Sequence, residues 1–200
     1  MIRSTSNKTV GIVDYGVGNV ASLQYSLKKA GYRAVIGFSE VDFVDVDVIF
    51  LPGVGSFSYG MDNLRTTRMD SFLINRFQAE DVPIVGICLG MQIMFEHSEE
   101  GDCSGLGLIE GTVGKFDKEE CHVGWNFVET QNDIILDEKS AFYFNHSYKV
   151  QCADRYVSGT TKYQNEFPSI IQAKFFTGMQ FHPEKSQHKG MQILMSIIGD

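Results

Sequence analysis

Cys88 stands in Gly86-Ile87-Cys88-Leu89-Gly90, at the end of the apolar run "VPIVGIC" and before Met91 to Phe95, read as the start of a helix. GxCxG between a strand and a helix has the grammar of a nucleophile elbow with sulfur in place of a hydroxyl. The turn strains the backbone at the nucleophile, and side chains two positions away on either side would collide with it or with the neighbouring strand. A thiol at a helix N-terminus also ionises more easily. Read as packing alone, Cys88 would be a small buried residue with permissive glycines. The other thiols, Cys103, Cys121 and Cys152, have no comparable setting, and the four cysteines contain no CxxC pair.

A cysteine nucleophile needs a base. Among His97, His122, His146, His182 and His188, the segment "GMQFHPEKS" singles out His182. Alternation of Met179 and Phe181 with Gln180 and His182 predicts a strand, and Pro183 holds His182 extended. Residues two apart in an extended stretch share a face, so Glu184 can reach the imidazole, fix its tautomer and stabilise the imidazolium. His146, in "NHSY", is a second candidate base, while His97, His122 and His188 read as structural or surface residues. In "FLPGVGSF", Gly53 and Gly55 free the backbone N–H groups around Val54. Together with the N–H of Leu89, such a loop can hold the oxygen of a tetrahedral intermediate. Gly16-x-Gly18-x-x-Ala21 resembles a dinucleotide fingerprint only superficially, because Asp14 would face the pyrophosphate.

These groups are scattered, so a fold must gather them. "KTVGIVDYG", "RAVIGF", "VDVIFLPG" and "VPIVGIC" read as buried strands, alternating with helices over "NVASLQYSLKKAGY" and "DSFLINRFQAE". That order predicts an α/β fold: an open, mostly parallel twisted sheet flanked by helices. Beyond about residue 100 the aromatic-rich segments "WNFVET", "FYFNHSYKV" and "FPSIIQAKFFTGMQFHPE" predict a smaller, partly antiparallel addition, and "HKGMQILMSIIG" a closing helix. The length suits a single domain over 1–200.

Seventeen basic against twenty-five acidic residues give a net charge of −8, which argues against nucleic acid. No run suits a membrane span, and "MIRSTSNKTVGIVDYG" lacks the marks of a signal peptide, so a cytoplasmic protein with no membrane partner is expected. The chemistry outlined requires no metal and no organic cofactor.

The motifs "DYGVGN" (14–19), "LPGVGSF" (51–57), "GICLGMQIMFEHSEEG" (86–101), "GLGLIEG" (105–111), "GWN" (124–126), "HSY" (146–148) and "FHPEKS" (181–186) come in one order along the chain. In them the sequence resembles class I, triad-type glutamine amidotransferases, and more closely the glutaminase subunits of imidazole glycerol phosphate synthase. The resemblance implies a flavodoxin-like fold in which Cys88 attacks the side-chain amide of L-glutamine, His182 shuttles the proton and Glu184 orients His182. A thioester forms, ammonia leaves and water releases glutamate. It further implies that Gly53, Gly55, Gln92, Ser147 and Tyr148 hold the substrate. Asn19, Trp125, Asn126, Tyr143 and Lys185 would then lie toward a (βα)8 barrel synthase subunit, which takes the ammonia to make imidazole glycerol phosphate and AICAR in histidine biosynthesis. Two positions depart from the family pattern: Val123 stands where Met usually precedes GWN, and Asn145 where an apolar residue usually precedes HSY. Related subunits serve an amidino-sugar synthetase of a surface-polysaccharide pathway, and that reading stays open. So do a stand-alone cysteine hydrolase and a non-catalytic binding subunit, which the residues alone also allow.

Overall fold

The structure, a computed structural model, describes residues 8–117, 121–130 and 140–199. The first seven residues of the stretch read for a signal peptide lie outside that range. In chain order the elements are β1 (Thr9–Val13), α1 (Val20–Lys29), β2 (Arg33–Gly37), β3 (Val48–Gly53), α2 (Phe57–Thr67), α3 (Met69–Ala79), β4 (Ile84–Cys88), α4 (Leu89–Gln92), β5 (Phe95–Ser98), β6 (Cys103–Ser104), β7 (Ile109–Lys115), β8 (His122–Thr130), β9 (Ser140–His146), β10 (Tyr148–Gln151), β11 (Val157–Tyr163), β12 (Asn165–Ala173), β13 (Phe176–Met179) and α5 (Gln187–Ile198).

Among the described residues, one sheet runs β2-β1-β3-β4-β13-β12-β11-β8-β9 and a smaller one β10-β7-β5-β6. Strands β2, β1, β3, β4 and β13 are parallel neighbours. Beyond β13 the large sheet continues antiparallel through β12, β11, β8 and β9. The expected α/β architecture, a large sheet with helices and a smaller addition, is therefore present. Strands β3 and β4 are buried along their whole length, which explains why they read as unbroken apolar runs. One apolar cluster packs Leu51, Phe57, Leu64, Met91 and Phe95 on one side of the sheet. Another packs Ile12, Leu23, Phe50, Phe181 and Leu194 on the other.

Three elements differ from the sequence reading. Helix α2 carries Phe57, Met61 and Leu64 on its buried face, a spacing that Gly60 and a polar remainder hide. Gly60 lets the helix lie close to α4, where a β-carbon would stand 3.0 Å from the Leu89 side chain. The helix expected over Met91 to Phe95 is instead the single turn Leu89–Gln92, and Phe95 begins β5. The chain turns out to the second sheet, where β5 pairs with β7, and a turn this short contributes little dipole. His97 lies on β5, with Nε2 3.3 Å from the Asp102 carboxylate.

Candidate active site

The register of the parallel strands assembles the site. Gly53 at the end of β3 pairs with Cys88 at the end of β4, which sets the Gly53-Val54-Gly55 loop beside the sulfur. On the other side Met179 pairs with Ile87, so the chain leaving β13 carries Gln180, Phe181 and His182 past the same point. The carboxyl ends of adjacent parallel strands are where open α/β sheets form their crevices.

Cys88 has φ 53° and ψ −108°, a strained conformation for a residue with a side chain. Its glycines are explained by contact. A β-carbon at Gly90 would lie 1.8 Å from the Leu51 carbonyl oxygen, and one at Gly86 would lie 2.7 Å from the Gly90 carbonyl oxygen. The backbone at His182 is extended, φ −99° and ψ 96°, and Pro183–Lys185 form a 3-10 turn. The expected His182–Glu184 pairing is made, Nδ1 to Oε1 at 2.9 Å, although this turn and not a continued strand brings the two together. Both side chains are buried.

His182 Nε2, the nitrogen not engaged by Glu184, has no hydrogen-bond partner among the described residues. Burial disfavours its charge, but the negative charge of a Cys88 thiolate and the Glu184 carboxylate outweigh it, and His182 is pushed up to about 10. Tyr15 contributes a buried hydroxyl with no partner among the described residues, and burial followed by the Cys88 charge raises its pKa. That hydroxyl would lie 2.5 Å from a β-carbon at Gly53, so only glycine fits there.

A cavity of about 200 Å³ opens over the sulfur, and its walls include Val54, Gly55, Cys88, Leu89, Gln92, Ser147 and Tyr148, all expected from the sequence. Gly53 lies behind this wall, against Tyr15 and Leu89. Glu100, Asn145 and His146 also line it. Glu100 Oε2 accepts the Phe57 N–H at the start of α2, at 2.8 Å, and so ties the cavity wall to that helix. His146 is unsuited as a base. Nδ1 is bonded to the Tyr148 carbonyl at 2.8 Å and Nε2 to His122 at 3.0 Å, leaving no nitrogen free.

Of the residues assigned to a partner face, Trp125 is 51% exposed and lies edge-on to Tyr143, over whose ring the Lys185 ammonium stands at 5.7 Å. Val123 and Phe127 extend the exposed apolar side of β8. Asn126 departs from this group. It shares the opposite side of β8 with buried His122, and its amide is bonded to His122 Nε2 and the Lys162 carbonyl, both at 3.1 Å. Asn19 stands at the start of α1, its carbonyl accepting the Leu23 N–H. Among the described residues no group of three His, Cys, Asp or Glu is placed to hold a metal ion, and no helix is long and apolar enough to cross a membrane.

The profile of the class-I glutamine amidotransferases matches residues 11–197. Two similar proteins are imidazole glycerol phosphate synthase subunits. HisH 1 of Campylobacter jejuni is 38% identical over 198 residues, 94% of this chain and 98% of its own, and HisH of Sulfurimonas denitrificans is 43% identical over 197 residues, 92% and 95%. In fold, the chain resembles PurLQS from Thermotoga maritima, with TM-score 0.77 and 17% identity over 96% of this chain and 98% of that one. A solved glutamine amidotransferase gives TM-score 0.76 at 15% identity over 94% and 98%.

Proposed function

Because the chain belongs to the class-I glutamine amidotransferase family, we propose that it works as the glutaminase subunit of an imidazole glycerol phosphate synthase, hydrolysing L-glutamine at Cys88. The observation that carries this reading is the strained Cys88 at the end of β4, flanked by a glycine loop on one side and a buried His182–Glu184 pair on the other.

The Cys88 thiolate adds to the side-chain carbonyl carbon of glutamine, and the electron pair moves to oxygen. The N–H groups of Val54 and Leu89 receive that oxyanion, with Gly55 leaving the loop free of a side chain on the cavity side. His182, held protonated by its two charged neighbours, gives its proton to the departing nitrogen as the C–N bond breaks, and ammonia leaves. Water then attacks the thioester and returns a proton to His182. The C–S bond breaks and glutamate is released. Glu184 holds the imidazole at Nδ1 throughout, so Nε2 is the working nitrogen. Gln92, Ser147 and Tyr148 bind the amino-acid end of the substrate in the cavity.

We read residues 1–200 as one amidotransferase domain acting in the cytoplasm beside a (βα)8 barrel subunit that consumes the ammonia. Trp125, Tyr143 and Lys185, with Asn19, form the docking face. Asn126 supports β8 from behind.

Replacing Cys88 with Ala tests the chemistry. Glutamate release, measured with the barrel subunit present, is expected to fall by roughly a thousandfold or more while circular dichroism stays native. An unchanged rate would overturn the reading.

A further inference from the structure

A continuous set of side chains, buried from His122 inward, leads from β8 to the nucleophile, and the backbone groups along it fix the direction of every hydrogen bond. Asn126 Oδ1 accepts the N–H of Phe127 at 2.8 Å, and the other end of that amide meets the Lys162 carbonyl at 3.1 Å. A backbone N–H can only donate and a carbonyl can only accept, so the amino group of Asn126 is the end that faces His122. His122 Nε2 must then accept, at 3.1 Å, and the ring carries its proton on Nδ1. That proton is donated to His146 Nε2 at 3.0 Å, which places the His146 proton on Nδ1, and Nδ1 donates to the Tyr148 carbonyl at 2.8 Å. Both rings are neutral, as their burial independently favours.

The Tyr148 carbonyl accepts a second bond, from Gln92 Nε2 at 3.0 Å, which fixes the Gln92 amide in turn. The remaining Gln92 N–H goes to Gln180 Oε1 at 3.0 Å. With Oε1 so engaged, the amino end of Gln180 faces Cys88, and Nε2 stands 3.7 Å from Sγ, within range for a bond to sulfur. Gln92 and Gln180 are both buried.

We propose that Gln180 is a further catalytic residue, an N–H donor that holds the Cys88 sulfur as the thiolate, and that His122 and His146 are positioning residues that lock Gln92 and Gln180 in this orientation. The proposal deepens the glutaminase reading and rests on it for its meaning. An N–H aimed at sulfur favours the charged form, while a thiol could give its own proton to the Asn145 carbonyl, 3.9 Å away. The same amide joins the nucleophile to Gln92, so attacking atom and substrate-holding side chain are set by one rigid unit. The other groups around the sulfur are His182 and Glu184 beyond β13, Tyr15 after β1, and Glu100, His146 and Tyr148 on the cavity wall. Gln180→Met leaves all of these in place and keeps a similar volume.

The test is the pH dependence of Cys88 alkylation by iodoacetamide in the native chain and in Gln180→Met. The midpoint is expected to rise by about 1 pH unit in the variant, with kcat/KM for glutamine down about tenfold. A folded variant with an unmoved midpoint would overturn the proposal, because a packing role alone changes the melting temperature and not the thiol. A second measurement needs no variant and decides the matter should Gln180→Met fail to fold. Long-range ¹⁵N NMR of the native chain is expected to show His122 and His146 neutral with the proton on Nδ1. In the same spectra the Gln180 side-chain amide is expected to shift with the midpoint of Cys88 alkylation; an amide that does not follow the thiol would overturn its role, and a proton on Nε2 of either ring would overturn that of the histidines. Both readouts are independent of turnover, so a chain that fails to hydrolyse glutamine yet gives these results would refute the functional reading and leave the network standing.

Discussion

Gly90 and Cys88 share the demands of the elbow: the cysteine takes the strained backbone, and the glycine lets that turn lie against β3. With 1.8 Å between a β-carbon at position 90 and the Leu51 carbonyl, the obstacle is backbone of a buried strand and has no rotamer to adjust. Gly107 is the contrast, with φ +63° and nothing within 4 Å. Gly90→Ala is expected to destabilise the chain by more than about 3 kcal/mol, and Gly107→Ala by about 1 kcal/mol from backbone conformation alone. Urea unfolding of the two variants measures the difference, and equal midpoints would show that the elbow is not packed as described. Cys88, His182 and Glu184 were legible in the sequence as candidates because GxCxG and HxE each join residue type to a short spacing. Gln180 and His146 were not, since their roles come from backbone carbonyls and amides that only the fold brings within reach.

The legible elements were those whose burial is uniform. Strands β1, β3 and β4 are buried on both faces and read directly as apolar runs. Helix α2 was hidden by its polar residues, and the turn after Cys88 was read as a longer helix because nothing local announces that Phe95 joins another sheet. Strand β8 shows a third case. His122 and Val128 are buried on one side, whereas Val123, Trp125 and Phe127 are more than half exposed on the other, an inversion for apolar residues near a sheet edge. Under the docking reading this face is covered by the barrel subunit, with Trp125 at its centre between Tyr143 and the apolar pair. Trp125→Glu is expected to weaken the complex by about 30-fold or more, as loss of a central aromatic anchor does. Isothermal titration with the barrel subunit checks it; unchanged affinity would move the docking face elsewhere.

The whole molecule joins two apolar clusters across a single sheet, and the buried histidine pair sits among the rings of one of them. His122 stacks on Tyr163 at 4.3 Å and on Phe144 at 4.5 Å, and Phe116 and Phe167 close over both imidazoles. Burial lowers His122 to about 4 and His146 to about 3, from an ordinary value near 6.5. Below about pH 6.5 the unfolded chain therefore binds protons at both positions that the folded chain refuses, and stability falls as the pH drops. His182 has the opposite sign, its folded value being raised to about 10. Its contribution is fully developed below the unfolded value near 6.5, so it adds little slope as the pH falls from 6 to 5. Asp42, lowered by the N–H groups of Phe38 and Ser39, matters only at still lower pH. Between pH 6 and 5 the unfolding free energy is thus expected to fall with a slope of roughly 1 to 3 kcal/mol per pH unit. His122→Gln, which removes one of the two protons from the balance, should about halve that slope. Urea unfolding at several pH values in this window measures it. A native chain whose stability is flat from pH 6 to 5 would mean that the two imidazoles admit protons in place, which the proton-ordered chain between Asn126 and Tyr148 has no room to accept.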